Sequence, residues 1–164
     1  MKHVKLSDVC VIKYGKDHKT LGDGPYPVYG SGGIMRHIDR PLYSGPSVLI
    51  PRKGTLGNLF YSESPFWTVD TLFWTIIDDT AIRPKFLYYQ LLTKDLASLN
   101  IGTAVPSLST EVLNEIELCI PPLPTQERIE FLLGSLDSKT ELNNRINDYL
   151  VELLDAQFKQ VLID

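Results

Sequence analysis

The sequence is poor in the side chains that most often carry chemistry: two cysteines and three histidines in 164 residues. Cys10 and Cys119 lie far apart, each among apolar neighbours, which suits reduced core thiols rather than a disulfide framework or a thiolate metal site. His3, His18 and His37 are scattered, and no His or Cys pair has metal-ligand spacing. No glycine loop ends in the Lys-Ser/Thr pair of a P-loop. The stretch Gly30-Ser31-Gly32-Gly33 lacks the strand–GxGxxG–helix context of a dinucleotide site. Nothing resembles a Ser-His-Asp constellation. No catalytic residue, metal or cofactor is therefore assigned. Long apolar runs are missing too: no window approaches the roughly 18 uninterrupted apolar residues of a membrane span, and MKHVKLSDVCVIKYG has no run of signal-peptide length. The chain reads as cytoplasmic, with no membrane partner.

Excess positive charge is also absent, since the net charge is −4, and that argues at first against a phosphate-bearing ligand. The distribution reverses the argument. Residues 1–60 carry a net +5, residues 61–124 a net −5 and residues 125–164 a net −4. An anionic ligand should meet the first sixty residues, and the acidic remainder is left for solvent or basic partners.

Leu6 to Ile12 is predicted as a short helix capped by Ser7 and ended at Gly15. Residues 16–33 are turn-rich, with short strands around Tyr26, Val28 and Tyr29. Ser47 to Ile50, Leu59 to Tyr61 and Phe66 to Ile77 read as strands rich in aromatic and β-branched residues, which makes Trp67 and Trp74 core residues. Pro84 opens a helix to about Thr93, a loop covers Ile101 to Ser109, a short helix runs from about Thr110 to Asn114, and Ile116, Leu118 and Ile120 alternate as a strand. The fold class is α+β, a globular domain over residues 1–124 followed by a long helical segment over residues 125–164.

That segment organises the chain. Thr125 is its predicted N-cap, after the prolines at 121, 122 and 124, and a kink is expected near Gly134 and Ser138. Apolar residues recur at helical spacing to Leu162, and 38 residues make a rod of roughly 57 Å. One heptad frame passes Ile129, Leu132, Leu136, Asn143, Ile146, Leu150 and Leu153; a second adds Leu142 and Tyr149; Phe158 lies farther along the stripe. A rod this long and this apolar calls for a second helix, and Asn143 is placed to fix its register at some cost in stability.

Two polar, glycine-bearing loops stand out in the basic region, Tyr29 to Arg36 (YGSGGIMR) and Pro51 to Asn58 (PRKGTLGN). Arg52 can fork onto guanine O6 and N7, Asn58 can take adenine N6 and N7, Lys53 suits a phosphate, and Tyr29 offers an aromatic face. The same residues also make good hairpin turns with solvated charges, and spacing alone leaves both readings open.

The order Leu6-Ser7-Asp8 before Gly15, YPVYGSGGI (Tyr26 to Ile34), Gly54-Thr55-Leu56-Gly57-Asn58, PKFLYYQL (Pro84 to Leu91), GTAVPSLS (Gly102 to Ser109) and IPPLPTQERI (Ile120 to Ile129) resembles the specificity subunit of type I restriction–modification systems. The resemblance implies a DNA target-recognition domain followed by a helical spacer. It brings double-stranded DNA and the methylation and restriction subunits as partners, with catalysis left to those subunits. By the same resemblance, Tyr29, Ser31, Gly32, Arg36, Arg52, Lys53, Thr55 and Asn58 match segments near the DNA, and Thr103 and Ser107 lie in a motif loop. Family members normally carry two domain–spacer units with antiparallel spacers. This sequence holds one, and the simplest repair is a homodimer reading an inverted bipartite site through paired helices. The rival reading is a coiled-coil adaptor that binds protein partners without reading DNA.

Overall fold

The structure is a computed structural model that describes the backbone of residues 1–163 and the side chains of residues 1–160. In chain order it contains β1 (Lys2–Lys5), a 3-10 turn (Leu6–Asp8), β2 (Cys10–Tyr14), β3 (Tyr26–Gly30), β4 (Gly33–Ile38), β5 (Ser47–Pro51), β6 (Phe60–Ser62), β7 (Trp67–Thr68), β8 (Leu72–Ile77), α1 (Pro84–Leu92), a 3-10 turn (Leu96–Leu99), α2 (Thr110–Asn114), β9 (Glu117–Ile120) and α3 (Leu123–Ile163). This is the α+β class read from the sequence. The chain divides into two compact units, Met1–Glu127 and Arg128–Asp164.

Three sheets build the first unit. Antiparallel β2–β8–β5–β6 is the largest, β4–β3–β7 is a mixed sheet in which β3 and β7 run parallel, and β1 pairs with β9. The central strand β5 is buried at every position, as a strand covered on both faces must be. Near its start, side chains take over the ladder: Ser47 Oγ donates to the Thr75 carbonyl at 2.8 Å and accepts from the Thr75 amide at 2.9 Å, while Thr75 Oγ1 accepts from the Val48 amide at 2.9 Å. Leu49, Phe66, Leu72 and Trp74 form one core cluster, and Leu21, Val28, Ile38, Trp67 and Val69 another. Both tryptophans are core residues, and each indole N–H is spoken for: Trp67 Nε1 donates to the Lys16 carbonyl and Trp74 Nε1 to the Tyr14 carbonyl. Cys10 is buried and its thiol is pushed up to about 12 by desolvation, so it is inert packing; no cysteine is disulfide-bonded among the described residues.

The predicted helix over Leu6 to Ile12 is corrected by the structure. One 3-10 turn forms, closed by the Lys5 amide on Asp8 Oδ2 at 2.8 Å, and the chain then enters β2, which pairs with β8 from Cys10↔Ile77 to Tyr14↔Phe73. Val11 and Ile12 are β-branched, and cross-strand pairing outweighs the weak local helical pattern.

The long helix starts at Leu123, two residues before the expected Thr125. Pro124 falls in its first turn, where a missing amide hydrogen costs nothing, and the Thr125 and Gln126 amides bond to the Pro122 carbonyl. Helix α3 is assigned unbroken for 41 residues, roughly 60 Å. The helix runs through Gly134 and Ser138 without a break. Ser135, Ser138 and Thr140 turn their hydroxyls back onto the carbonyls four residues earlier, at 2.7 to 3.0 Å, which satisfies them within the helix. Val161 and Leu162, the last positions of the apolar stripe, lie outside the described side chains.

Candidate nucleic-acid interface

Three loops meet at one edge of the first unit, tied by hydrogen bonds that cross between them. The β3–β4 turn is joined to the loop after β5 by Asn58 Nδ2, which donates to the Ser31 carbonyl at 2.9 Å. The loop after β5 is joined to the GTAVPSLS loop by the Gly54 amide on the Pro106 carbonyl at 3.0 Å, by the Leu108 amide on the Arg52 carbonyl at 2.9 Å and by an antiparallel bridge between Lys53 and Ser107. A fourth segment, Asp70–Thr71, accepts from the Arg52 amide and guanidinium. Segments up to 76 residues apart in sequence therefore present one surface.

Within that surface the predicted residues divide by what their side chains already do. Lys53, Thr55, Gly32 and Thr103 are exposed, and Ser31 and Ser107 half-buried. Arg52 is half-buried, its Nη1 on the Asp70 carbonyl at 3.0 Å and its guanidinium 5.4 Å from the centre of the Tyr14 ring, which leaves one planar edge for a further contact. Asn58 spends its amide on Ser31, so its adenine-reading geometry is not poised; it positions the loops instead. Arg36 is committed as well, donating to the Leu21 carbonyl and pairing with Asp23 Oδ1 at 2.8 Å. Tyr29 offers little face for stacking on a ligand, because its ring packs against Phe60 and Phe66 at the edge of a core cluster.

Two positioning residues escaped the sequence reading. Asn100 folds the GTAVPSLS loop: its Oδ1 accepts from the Gly102 and Ser107 amides at 2.8 Å each, and its Nδ2 donates to the Gly102 carbonyl at 3.0 Å. Gly102 must lack a side chain there, since a Cβ would sit 2.0 Å from the Val105 carbonyl oxygen. The signal was Asn two residues before Gly, an Asx-turn pattern. Gln126 is the other. It is buried, its Oε1 accepts from the Arg83 amide at 2.8 Å and its Nε2 donates to the Pro121 carbonyl at 2.9 Å, so one side chain secures the start of α1 and the first turn of α3.

Beside the three loops lies a groove lined by Asp17, His18, Lys19, Met35, Asp70 and the Gly30–Gly32 turn. The Lys19 amide on Asp17 Oδ1 holds that carboxyl below its usual range.

The residues assigned to dimerisation lie on α3. Ile129 is half-buried, and Leu132, Leu136, Asn143, Ile146, Tyr149, Leu150, Leu153 and Phe158 are exposed. From Ser135 to Gln160 every side chain is exposed, including nine large apolar ones. No helix among the described residues is long and apolar enough to cross a membrane.

Residues 1–152 match the model of the type I restriction modification DNA specificity domain. The chain belongs to this family. A type I specificity subunit of Mycoplasma pneumoniae is 27% identical over 96% of this chain and 54% of its own length. The N-terminal part of another from the same organism is 31% identical over 82% of this chain and 77% of its own length. The crystal structure of the type I S subunit from M. genitalium has the same fold, with a TM-score of 0.74 and 18% identity over 85% of this chain and 40% of that one. The specificity-domain chain thus spans about half the length of the first of these relatives.

Proposed function

We propose that this specificity-domain chain recognises a DNA sequence for a type I restriction–modification system and is not itself an enzyme. Residues 1–124 read double-stranded DNA. Residues 125–164 join two copies and, with them, engage the methylation and restriction subunits, which carry the catalysis. The observation that carries the reading is the cluster of three cross-bonded loops, two of which come from the basic first sixty residues of an acidic chain. It offers a firmly held polar surface, with Lys53 and Arg52 for phosphate and guanine and Thr55 and Thr103 for further polar contacts.

The apolar stripe of α3 supports pairing. A two-fold axis through Asn143 in an antiparallel pair sets Leu136 against Leu150 of the second copy and brings the two Asn143 amides together. Two identical recognition units then read inverted half-sites, separated by at most about 17 base pairs on the length of the rod.

The test is a methylation map of cells expressing this chain with a methylation subunit of its system, against cells without the chain. A new motif of two inverted half-sites at a fixed gap is the expected result. A motif with unlike halves replaces the homodimer with pairing to a different specificity chain. An unchanged map with all subunits soluble overturns DNA recognition and leaves the adaptor reading.

A further inference from the structure

The β3–β4 ribbon has a break in register that the loop cluster does not need. Val28 pairs with Arg36 and Tyr29 with Ile34, so Met35 is an extra residue in β4, a β-bulge. A regular strand alternates faces, but here Ile34 and Met35 are both exposed, at 55% and 60%, and the alternation resumes only past Arg36. Met35 folds back across the ribbon: a Cβ on Gly30 would lie 2.5 Å from its Sδ and 3.2 Å from its Cγ, with Val69 Cγ2 at 3.7 Å. The thioether is thus held over a glycine floor and forms a wall of the groove that also contains His18, Lys19 and Asp70. Strand β4 is an edge strand, paired only with β3, so this side of the ribbon is open.

From this geometry we infer that Ile34 and Met35 form an apolar reading element that contacts the C5-methyl group of thymine in the major groove. The inference rests on the DNA-recognition reading above and deepens it. With β7 on the far side of β3, it is the free β4 edge and the turn beside it that are presented to the major groove, where strands can read bases and the thymine methyl is the apolar feature. Two adjacent large apolar side chains raised by a bulge serve no core, since neither is buried. They continue directly into the Ser31–Gly33 turn, which Asn58 ties to Arg52 and Lys53 of the neighbouring loop, so phosphate contacts and an apolar base contact share one surface. Met35 supplies a polarisable, adaptable end to that contact. Gly30 is its positioning residue, because only a glycine leaves room for the thioether to lie across the ribbon.

The experiment is selection from a randomised duplex library by the full chain with a methylation subunit of its system, using wild type, Met35→Ala, Met35→Leu, Ile34→Ala and Gly30→Ala, with thermal melting as the check on folding. The wild type should select a motif containing a thymine whose replacement by uracil weakens binding about 4-fold, the worth of one buried methyl-sized group. Met35→Leu should keep that sensitivity. Met35→Ala should lose it and relax only that position, Ile34→Ala should relax the same or the adjacent position, and Gly30→Ala should copy Met35→Ala. The inference is overturned if Met35→Ala and Ile34→Ala select the wild-type motif unchanged, or if no thymine in the motif responds to uracil. A wild-type protein that binds the library with no sequence preference overturns the recognition reading itself, and this inference with it.

Discussion

The two compact units of this chain use the same apolar residues to opposite ends. In Met1–Glu127 most of the leucines, valines and aromatics leave solvent: β5 is buried throughout, and Phe66, Phe73 and Phe86 are among the largest fully buried side chains. In Arg128–Asp164 comparable residues stay in water, with Leu136 58% exposed, Tyr149 62% and Phe158 68%. An isolated helix with such a stripe gains little from burial, and most helical stability in proteins comes from tertiary packing. The first unit accounts for its own stability. The second leaves its apolar stripe uncovered from Ser135 to Gln160.

Four substitutions sharpen or break that contrast. Leu150→Asp should have the largest effect and only on assembly: two leucines at roughly 1.5–3 kcal/mol each are lost per pair, so self-association measured by sedimentation should weaken by about 100-fold or more while the melting temperature of the globular unit stays put. If that temperature falls in step, the units are not independent. Phe66→Ala should cost about 3–5 kcal/mol of unfolding free energy in denaturant titration, and the same sedimentation assay on the folded fraction should not change. Gln126→Ala strands the half-buried Arg83 amide and removes the donor to the buried Pro121 carbonyl, for about 2–3 kcal/mol; a smaller loss than about 1 kcal/mol would mean that water replaces both bonds. Lys53→Ala should leave stability within about 0.5 kcal/mol and lower the slope of log affinity for DNA against log salt by about 1. An unchanged slope would take Lys53 out of the phosphate contacts.

Much of the fold was legible because burial writes simple periods. The strand at Ser47 to Ile50 is a short run that must be buried on both faces, α2 is opened by the Ser109 hydroxyl accepting from the Val112 amide, and Pro84 marks the start of α1. The misreading at Leu6 to Ile12 had a physical source: β2 exists because β8 lies beside it, and the paired residues are 59 to 67 positions apart. The candidate surface was legible in composition and opaque in detail. Charge and glycine marked the right segments, but whether Arg36, Asn58 or Tyr29 is free depends on Asp23, Ser31 and Phe60, none of which is its helical or strand neighbour. The bulge at Met35 was invisible for the same reason, since a register shift belongs to two strands and not to one.

The Asn100 turn has a further consequence. Because that loop is folded by one amide side chain and by main-chain groups of Gly102, Pro106 and Ser107, the side chains of Thr103, Ala104 and Val105 take no part in shaping it, and all three are exposed. The frame and the display are chemically separate. Its tip can therefore carry many different side chains on an unchanged backbone, so a library randomised at those three positions should stay folded while presenting a different outer surface in each member.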